Sequence, residues 1–191
     1  MKKNSFLQTS SQTVGPFFAY GLTAEQYQYD FPSLVTGNLI KTEMNEERIS
    51  IKGRVIDGKG VPLNDAMIEI WQADPQGLYR TDPNGDFFGF GRMGTGAEKT
   101  NTFNFETYKP GKINKGLAPH INIIVFARGM LNHLFTRMYF SDEKEENDKD
   151  LILNQIDASL RSRLIANKVG DGDYHFDIFL QGEQETVFFD I

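Results

Sequence analysis

Cysteine is absent from this 191-residue chain. That absence excludes disulfides, thiolate zinc sites and cysteine nucleophiles together. Long apolar runs are missing as well, and no stretch approaches the length needed to cross a bilayer. The sequence opens with Met1, Lys2 and Lys3, and no apolar segment of signal-peptide length follows them. A soluble, cytoplasmic protein with no membrane partner is therefore expected. An excess of positive charge is lacking too: 20 Lys and Arg stand against 26 Asp and Glu, a net charge of −6. Non-specific nucleic-acid binding needs clustered positive charge, so no nucleic-acid partner is expected. The modest acidic balance by itself names no other partner. Histidine is scarce, with three residues, His120, His133 and His175. None of them form the paired-histidine helix motif of a zincin. A Gly-x-Ser-x-Gly elbow and a Walker lysine loop are also absent.

What the chain does have is aromatic bulk and frequent turn punctuation. Sixteen Phe and seven Tyr supply core material, and the length suits one domain with a substantial core. Arg48 to Ile56 alternates, with Ile49, Ile51 and Val55 on one face, and Asp57-Gly58-Lys59-Gly60 is a turn signal. Ala66 to Trp71 alternates again. Asn101 to Tyr108 follows, with Phe103 and Phe105 on one side, and Lys109-Pro110-Gly111 ends it. His120 to Arg128, Leu134 to Phe140, Tyr174 to Leu180 and Thr186 to Ile191 are the remaining strand candidates. Many short strands with turns between them predict a mainly β chain, an antiparallel β-sandwich with short helices and long loops. The expected division is one domain over 1–191, with 1–47 as an N-terminal wrapping segment and 48–191 as the sandwich. Residues 142–150 read as a solvated charged loop. Beyond them, Leu153, Ile156, Leu160 and Leu164 recur at helical spacing and predict one or two short helices packed on the core.

Few residues suggest chemistry on their own. Phe88-Gly89-Phe90-Gly91-Arg92 is a weak dinucleotide signal, because it follows no long apolar strand. His120 and Asn122 lie two apart on a predicted strand, so they share a face. A His-x-His at that spacing could give one metal two ligands. Asn122 spoils it, because a neutral amide oxygen is a far weaker donor than imidazole for mid-row metals. Taken alone, His120 reads as a histidine satisfied within the structure.

Longer patterns say more. Val55-Ile56-Asp57-Gly58-Lys59-Gly60-Val61-Pro62-Leu63-Asn64-Asp65-Ala66 leads into Ile68-Glu69-Ile70-Trp71-Gln72-Ala73-Asp74 and Gly77-Leu78-Tyr79. Phe90-Gly91-Arg92, Lys109-Pro110-Gly111 and Pro119-His120-Ile121 follow in order. This series resembles the intradiol ring-cleavage dioxygenases. Ser11 to Phe17, Ala118 to Ile123, Phe126-Ala127-Arg128-Gly129 and Gln181 to Asp190 resemble the non-catalytic α subunit of the two-chain members. The resemblance covers nearly the whole chain and is weakest over roughly 23–47.

Catalytic members of the family hold Fe(3+) with two Tyr and two His. On the matching positions this sequence has Tyr79, Ile113, His120 and Asn122, and Leu117 where catalytic chains have an Arg. Two of four ligands and the cation are therefore replaced. The resemblance implies a vestigial site, no catalytic residue and no metal in this chain alone. It implies a hetero-oligomer whose β subunit carries the iron and acts on a small aromatic acid with O2. Thr13, Gly15, Pro16 and Arg128 match positions that line the partner's cavity. Glycine permits close backbone approach, proline stiffens the wall, and an arginine favours an anionic acid. Two other readings remain open: a self-sufficient homo-oligomeric dioxygenase, and a transthyretin-like binding module without catalysis.

Overall fold

A computed structural model describes residue 15 and residues 20–97, 99–113 and 116–190. Nine strands are present among them: β1 (Arg48–Ile56), β2 (Met67–Gln72), β3 (Phe90–Gly94), β4 (Thr102–Tyr108), β5 (His120–Phe126), β6 (Leu134–Phe140), β7 (Ile165–Lys168), β8 (Asp173–His175) and β9 (Ile178–Phe179). Hydrogen bonding runs β3-β2-β5-β6-β7-β8-β1-β4, and β9 pairs with β1. The chain is mainly β, as the alternation predicts. One core takes Ile68 and Ile70 from β2, Ile121, Ile123 and Val125 from β5, and Met138 and Phe140 from β6. It also takes Ile49, Ile51 and Val55 from β1, with Phe103 and Phe105 from β4. Alternate residues of both halves thus face inward, which is the physical content of a sandwich.

Strand β7 joins the two halves. Ile165 and Ala166 pair parallel with β6, while Asn167 and Lys168 pair antiparallel with β8. Most pairs are antiparallel, but β6/β7, β1/β8 and β1/β9 are parallel. The sequence predicts neither β3 nor β7 as strands. Glycines at 91 and 94 hide the alternation of the first, and the second has four residues shared between two neighbours. The expected strand Tyr174 to Leu180 is split, because Phe176 and Asp177 separate β8 from β9. Thr186 to Ile191 forms no strand among its described residues. Its backbone is satisfied piecemeal, with Thr186 N donating to Phe179 O (2.9 Å) and Phe189 N to Phe135 O (2.8 Å).

The helical stripe resolves into two 3-10 turns, Leu153–Gln155 and Arg161–Leu164. Asp157 Oδ1 accepts from Ser159 N (2.8 Å) and Ser159 Oγ (2.6 Å), a side-chain turn that interrupts any longer helix. The region 142–150 is not simply a solvated loop. Lys144–Asn147 makes one α-helical turn, and Asn147 and Asp150 are buried. Asp142 binds the ends of several strands. It accepts from Lys109 Nζ (3.0 Å), Lys168 Nζ (3.1 Å) and Tyr174 Oη (2.9 Å). Burial pushes its carboxyl up, but these three donors outweigh burial and hold it down at about 2.

Residues 36–39 close the side of the sandwich left open between β3 and β4. Arg92 N of β3 donates to Thr36 O (3.1 Å), and Leu39 N donates to Glu106 O of β4 (2.9 Å). Two edge strands are covered by one segment in this way, and Leu39 is buried beneath it.

Gly53 sits where β1 changes partner. Ser50 to Lys52 pair with β8, while Val55 and Ile56 pair with β9. A Cβ at position 53 would collide with the Phe176 carbonyl oxygen and lie 2.7 Å from Phe103 Cζ. The first obstacle is backbone and cannot rotate away. Gly53→Ala is expected to destabilise the fold by about 3 kcal/mol, the upper end of overpacking costs. Chemical denaturation measures it, and a loss under about 1 kcal/mol would show that the β1–β9 crossing adjusts freely.

Candidate functional site

Strand β5 sets the site. Its Ile121, Ile123 and Val125 face the core, so His120, Asn122 and Ile124 share the other face. The antiparallel register places Tyr139 opposite His120 and Arg137 opposite Asn122 on β6. On the other side, β2 places Trp71 opposite Asn122.

Tyr79 reaches this face from a turn organised by Asp74. Asp74 Oδ1 accepts from Gln76 N (3.0 Å) and Leu78 N (2.9 Å), and its Oδ2 from Arg80 Nε (2.6 Å). Gly77 has φ +78° there, and a side chain would collide with the Lys112 carbonyl oxygen. Gly111 N also donates to Asp74 O (3.0 Å). The turn before Tyr79 and the segment before Ile113 are therefore packed together. Tyr79 stacks on Trp71, with ring centroids 5.7 Å apart and planes within 15°. Asn122 Nδ2 donates to the Tyr79 hydroxyl (3.0 Å).

The structure thus gathers Tyr79 and Asn122 directly, with His120 two residues before Asn122 on the same face. Ile113 pairs with Leu117 in an isolated bridge. Both positions that the resemblance marks as altered to aliphatic residues are neighbours. Arg137 is the residue the sequence reading missed. Its Nε donates to Asn122 Oδ1 (3.1 Å) and its Nη1 to the Tyr139 hydroxyl (3.4 Å). A guanidinium is present in this site, supplied by β6 rather than by position 117. The alternation Phe135, Arg137, Tyr139 carried that signal, but only the β5–β6 register reveals its target.

His120 is 1% exposed, and its Nδ1 lies 2.7 Å from Ala118 O. A carbonyl only accepts, so Nδ1 carries the proton. Burial, then the nearby Arg137 charge, holds its pKa down at about 4. The donor set can be weighed against ferric iron directly. Ile113 has no donor atom. The Asn122 amide is neutral, and both its ends are already hydrogen-bonded. The Arg137 guanidinium adds a positive charge beside them. Tyr79 and His120 remain, and this set fits ferric iron poorly.

The other singled-out residues lie elsewhere. Arg128 follows the far end of β5, and the six steps from His120 to Phe126 alone span roughly 20 Å at strand spacing. Its Nε is 2.7 Å from Asp65 Oδ2, with the Asp65 side chain 6% exposed and that of Arg128 64% exposed. Gly15 is exposed, and among the described residues a Cβ there would meet nothing within 4 Å. Thr13 and Pro16 lie outside the described residues. Among the described residues, no helix is long and apolar enough to cross a membrane.

The fold and this arrangement of positions define an intradiol dioxygenase framework. The dioxygenase family profile matches residues 32–182, and the chain belongs to the intradiol dioxygenase family. It is 44% identical to the protocatechuate 3,4-dioxygenase alpha chain of Burkholderia cepacia, over 96% of this chain and 98% of that one. It is 33% identical to the beta chain from the same organism, over 80% of this chain and 72% of that one. Among solved structures, the dioxygenase domain of a carbohydrate-binding fusion from Streptomyces sp. SirexAA-E superposes with a TM-score of 0.60 at 26% identity. That match covers 77% of this chain and 88% of the domain.

His120 makes stability depend on pH. Its ordinary pKa is 6.5 and its folded value about 4, so the unfolded chain binds more protons between those limits. Stability is therefore full above pH 6.5 and falls as pH drops toward 4, by about 2 kcal/mol at pH 5. Urea midpoints at pH 7 and pH 5 measure this loss. His120→Asn should remove that share of it, and an unchanged slope in the variant would assign the loss to other groups.

Proposed function

We propose that this chain is the alpha, non-iron-binding subunit of an alpha/beta protocatechuate 3,4-dioxygenase. The assembled enzyme opens protocatechuate with O2 between its two hydroxyl-bearing carbons, giving 3-carboxy-cis,cis-muconate. Both oxygen atoms enter the product, so no external reductant is required. The ferric iron is held by the beta subunit, and this chain supplies assembly surface and part of the wall of its partner's cavity. One observation carries the reading: Asn122 is spent on Tyr79 and Arg137, while Ile113 offers no donor. The similarity to an alpha chain along 98% of that relative's length supports the same assignment. The chain acts as one domain over 1–191 and works in the cytoplasm.

In this reading Thr13, Gly15, Pro16 and Arg128 face the partner's substrate. Arg128 is suited to that task. The buried Asp65 carboxylate anchors its Nε, while the side chain stays largely exposed. An anchored but accessible guanidinium meets a carboxylate with less ordering cost than a free one. Among the described residues nothing packs against a Cβ at Gly15, which leaves this position open to a contact with the partner.

Iron content and the visible spectrum test the assignment. The chain expressed alone should be colourless and iron-free, and the complex with its beta subunit should carry iron and the tyrosinate charge-transfer colour. Stoichiometric iron in the lone chain would instead make it a self-sufficient dioxygenase. Arg128→Ala in the complex should raise KM for protocatechuate by about tenfold, the value of one lost charge-assisted contact, with iron content intact. Arg128→Lys, which keeps the charge, should recover part of that loss. An unchanged KM in Arg128→Ala would remove Arg128 from the substrate cavity.

A further inference from the structure

Beside Asn122 lies an open groove of about 590 Å³, within the size range of small-molecule sites. Its walls are largely aromatic and aliphatic, with Trp71, Phe90, Ile124, Phe135 and Phe189 around Arg137. Arg137 is half-buried, and both its hydrogen bonds go to neutral groups, the Asn122 amide oxygen and the Tyr139 hydroxyl. Among the described residues it has no ion pair with a carboxylate. Two acidic residues also line the groove. Glu69 is occupied by Arg92, at 2.6 Å, and Asp190 is exposed to solvent. Asp150 stands behind Tyr139, and its oxygens are taken by four donors. A guanidinium partly withdrawn from water, bonded to no carboxylate among the described residues and set among flat apolar walls, is matched to a particular ligand chemistry. Its remaining N–H groups can donate to a carboxylate, and the walls can pack against a ring.

We propose that this groove is a metal-independent binding site for a small aromatic carboxylate, with Arg137 as the counter-charge and the ring packed among Trp71, Phe90 and Phe135. The inference goes beyond the subunit assignment and needs neither iron nor the partner chain. In place of metal ligation, the site would recognise the acid by charge and shape alone.

Benzoate is the probe, and Trp71 is the reporter, since the chain has one Trp. Titrating the full chain with benzoate, in the presence of an iron chelator, should give a saturable change in Trp71 fluorescence. Arg137→Gln should weaken that binding at least tenfold, and uncharged phenol should bind wild type at least tenfold more weakly than benzoate. Equilibrium dialysis on the complex with the beta subunit provides a second measurement independent of the lone chain's folding. There, Arg137→Gln should bind one benzoate fewer per copy of this chain. No saturable signal and no difference in dialysis, equal affinity of the variant, or equal binding of phenol would each overturn the proposal. Binding that disappears with the chelator would overturn it as well, by making the site a metal site. Iron in the lone chain would sink the subunit assignment without deciding this one, which the chelator arm decides separately.

Discussion

A carboxylate with no exposed surface, Asp150, holds the site in place. Burying a charge costs several kcal/mol unless donors replace the lost water. Here four do. Oδ1 accepts from the Tyr139 hydroxyl (3.0 Å), Ile152 N (2.9 Å) and Leu153 N (2.7 Å), and Oδ2 accepts from Ala118 N (2.7 Å). Two of the bonds close the turn that Asp150 opens, and the other two tie it to Tyr139 on β6 and to Ala118 before β5. Ala118 in turn orients His120 through its carbonyl. Tyr139 receives Arg137, Arg137 holds Asn122, and Asn122 holds Tyr79. A chain of hydrogen bonds thus runs from a buried acid to a surface tyrosine, with Arg137 held in it by neutral partners. Such networks are rigid when complete and costly when any member is missing.

The positions at which the resemblance marks a replacement are filled in two different ways. Ile113 and Leu117 stand side by side, and two aliphatic residues there need no partner. At Asn122 the position stayed polar, and a polar group in this half-buried setting has to be matched. The guanidinium from β6 and the phenol of Tyr79 match it. The result is an Asn122 whose amide is held on both ends by neighbours within the chain. Tyr79 and His120 both have structural partners within the chain, in Asn122, Trp71 and Ala118, and these hold them in place without any metal bond.

How far the sequence reveals this depends on the range of each interaction. Alternation exposes β1 and β6 because each strand is long enough, with one face in the core, to show a period of two. It misses β7, whose four residues divide between two neighbours. The stripe from Leu153 to Leu164 has helical spacing, yet Leu153 and Leu164 are buried through separate 3-10 turns, and Asp157 breaks the path between them. Tyr79, His120 and Asn122 are legible from motifs, since their spacing along the chain is fixed. Arg137 and Asp150 are not. The first acquires its role only through register across β5 and β6. The second hides in a run of charged residues that reads as solvated, and only burial distinguishes it from its neighbours.

Strand β5 therefore separates two cationic environments of opposite kind. At one end Arg137 is drawn inward across the sheet onto neutral partners, and the unmet charge faces a groove on this chain. Beyond the other end Arg128 leans on a buried acid and stays exposed, and the turn that carries it uses Gly129 at φ +84° to reverse the chain. The distance along the strand keeps the two from acting on one ligand. In the proposed reading, the exposed arginine serves the partner's cavity and the enclosed one serves this chain's own groove. In that reading the strand is a spacer between two anion-directed sites. Its inward face of Ile121, Ile123 and Val125 makes that possible, because the core contacts stay the same whatever the outward face becomes.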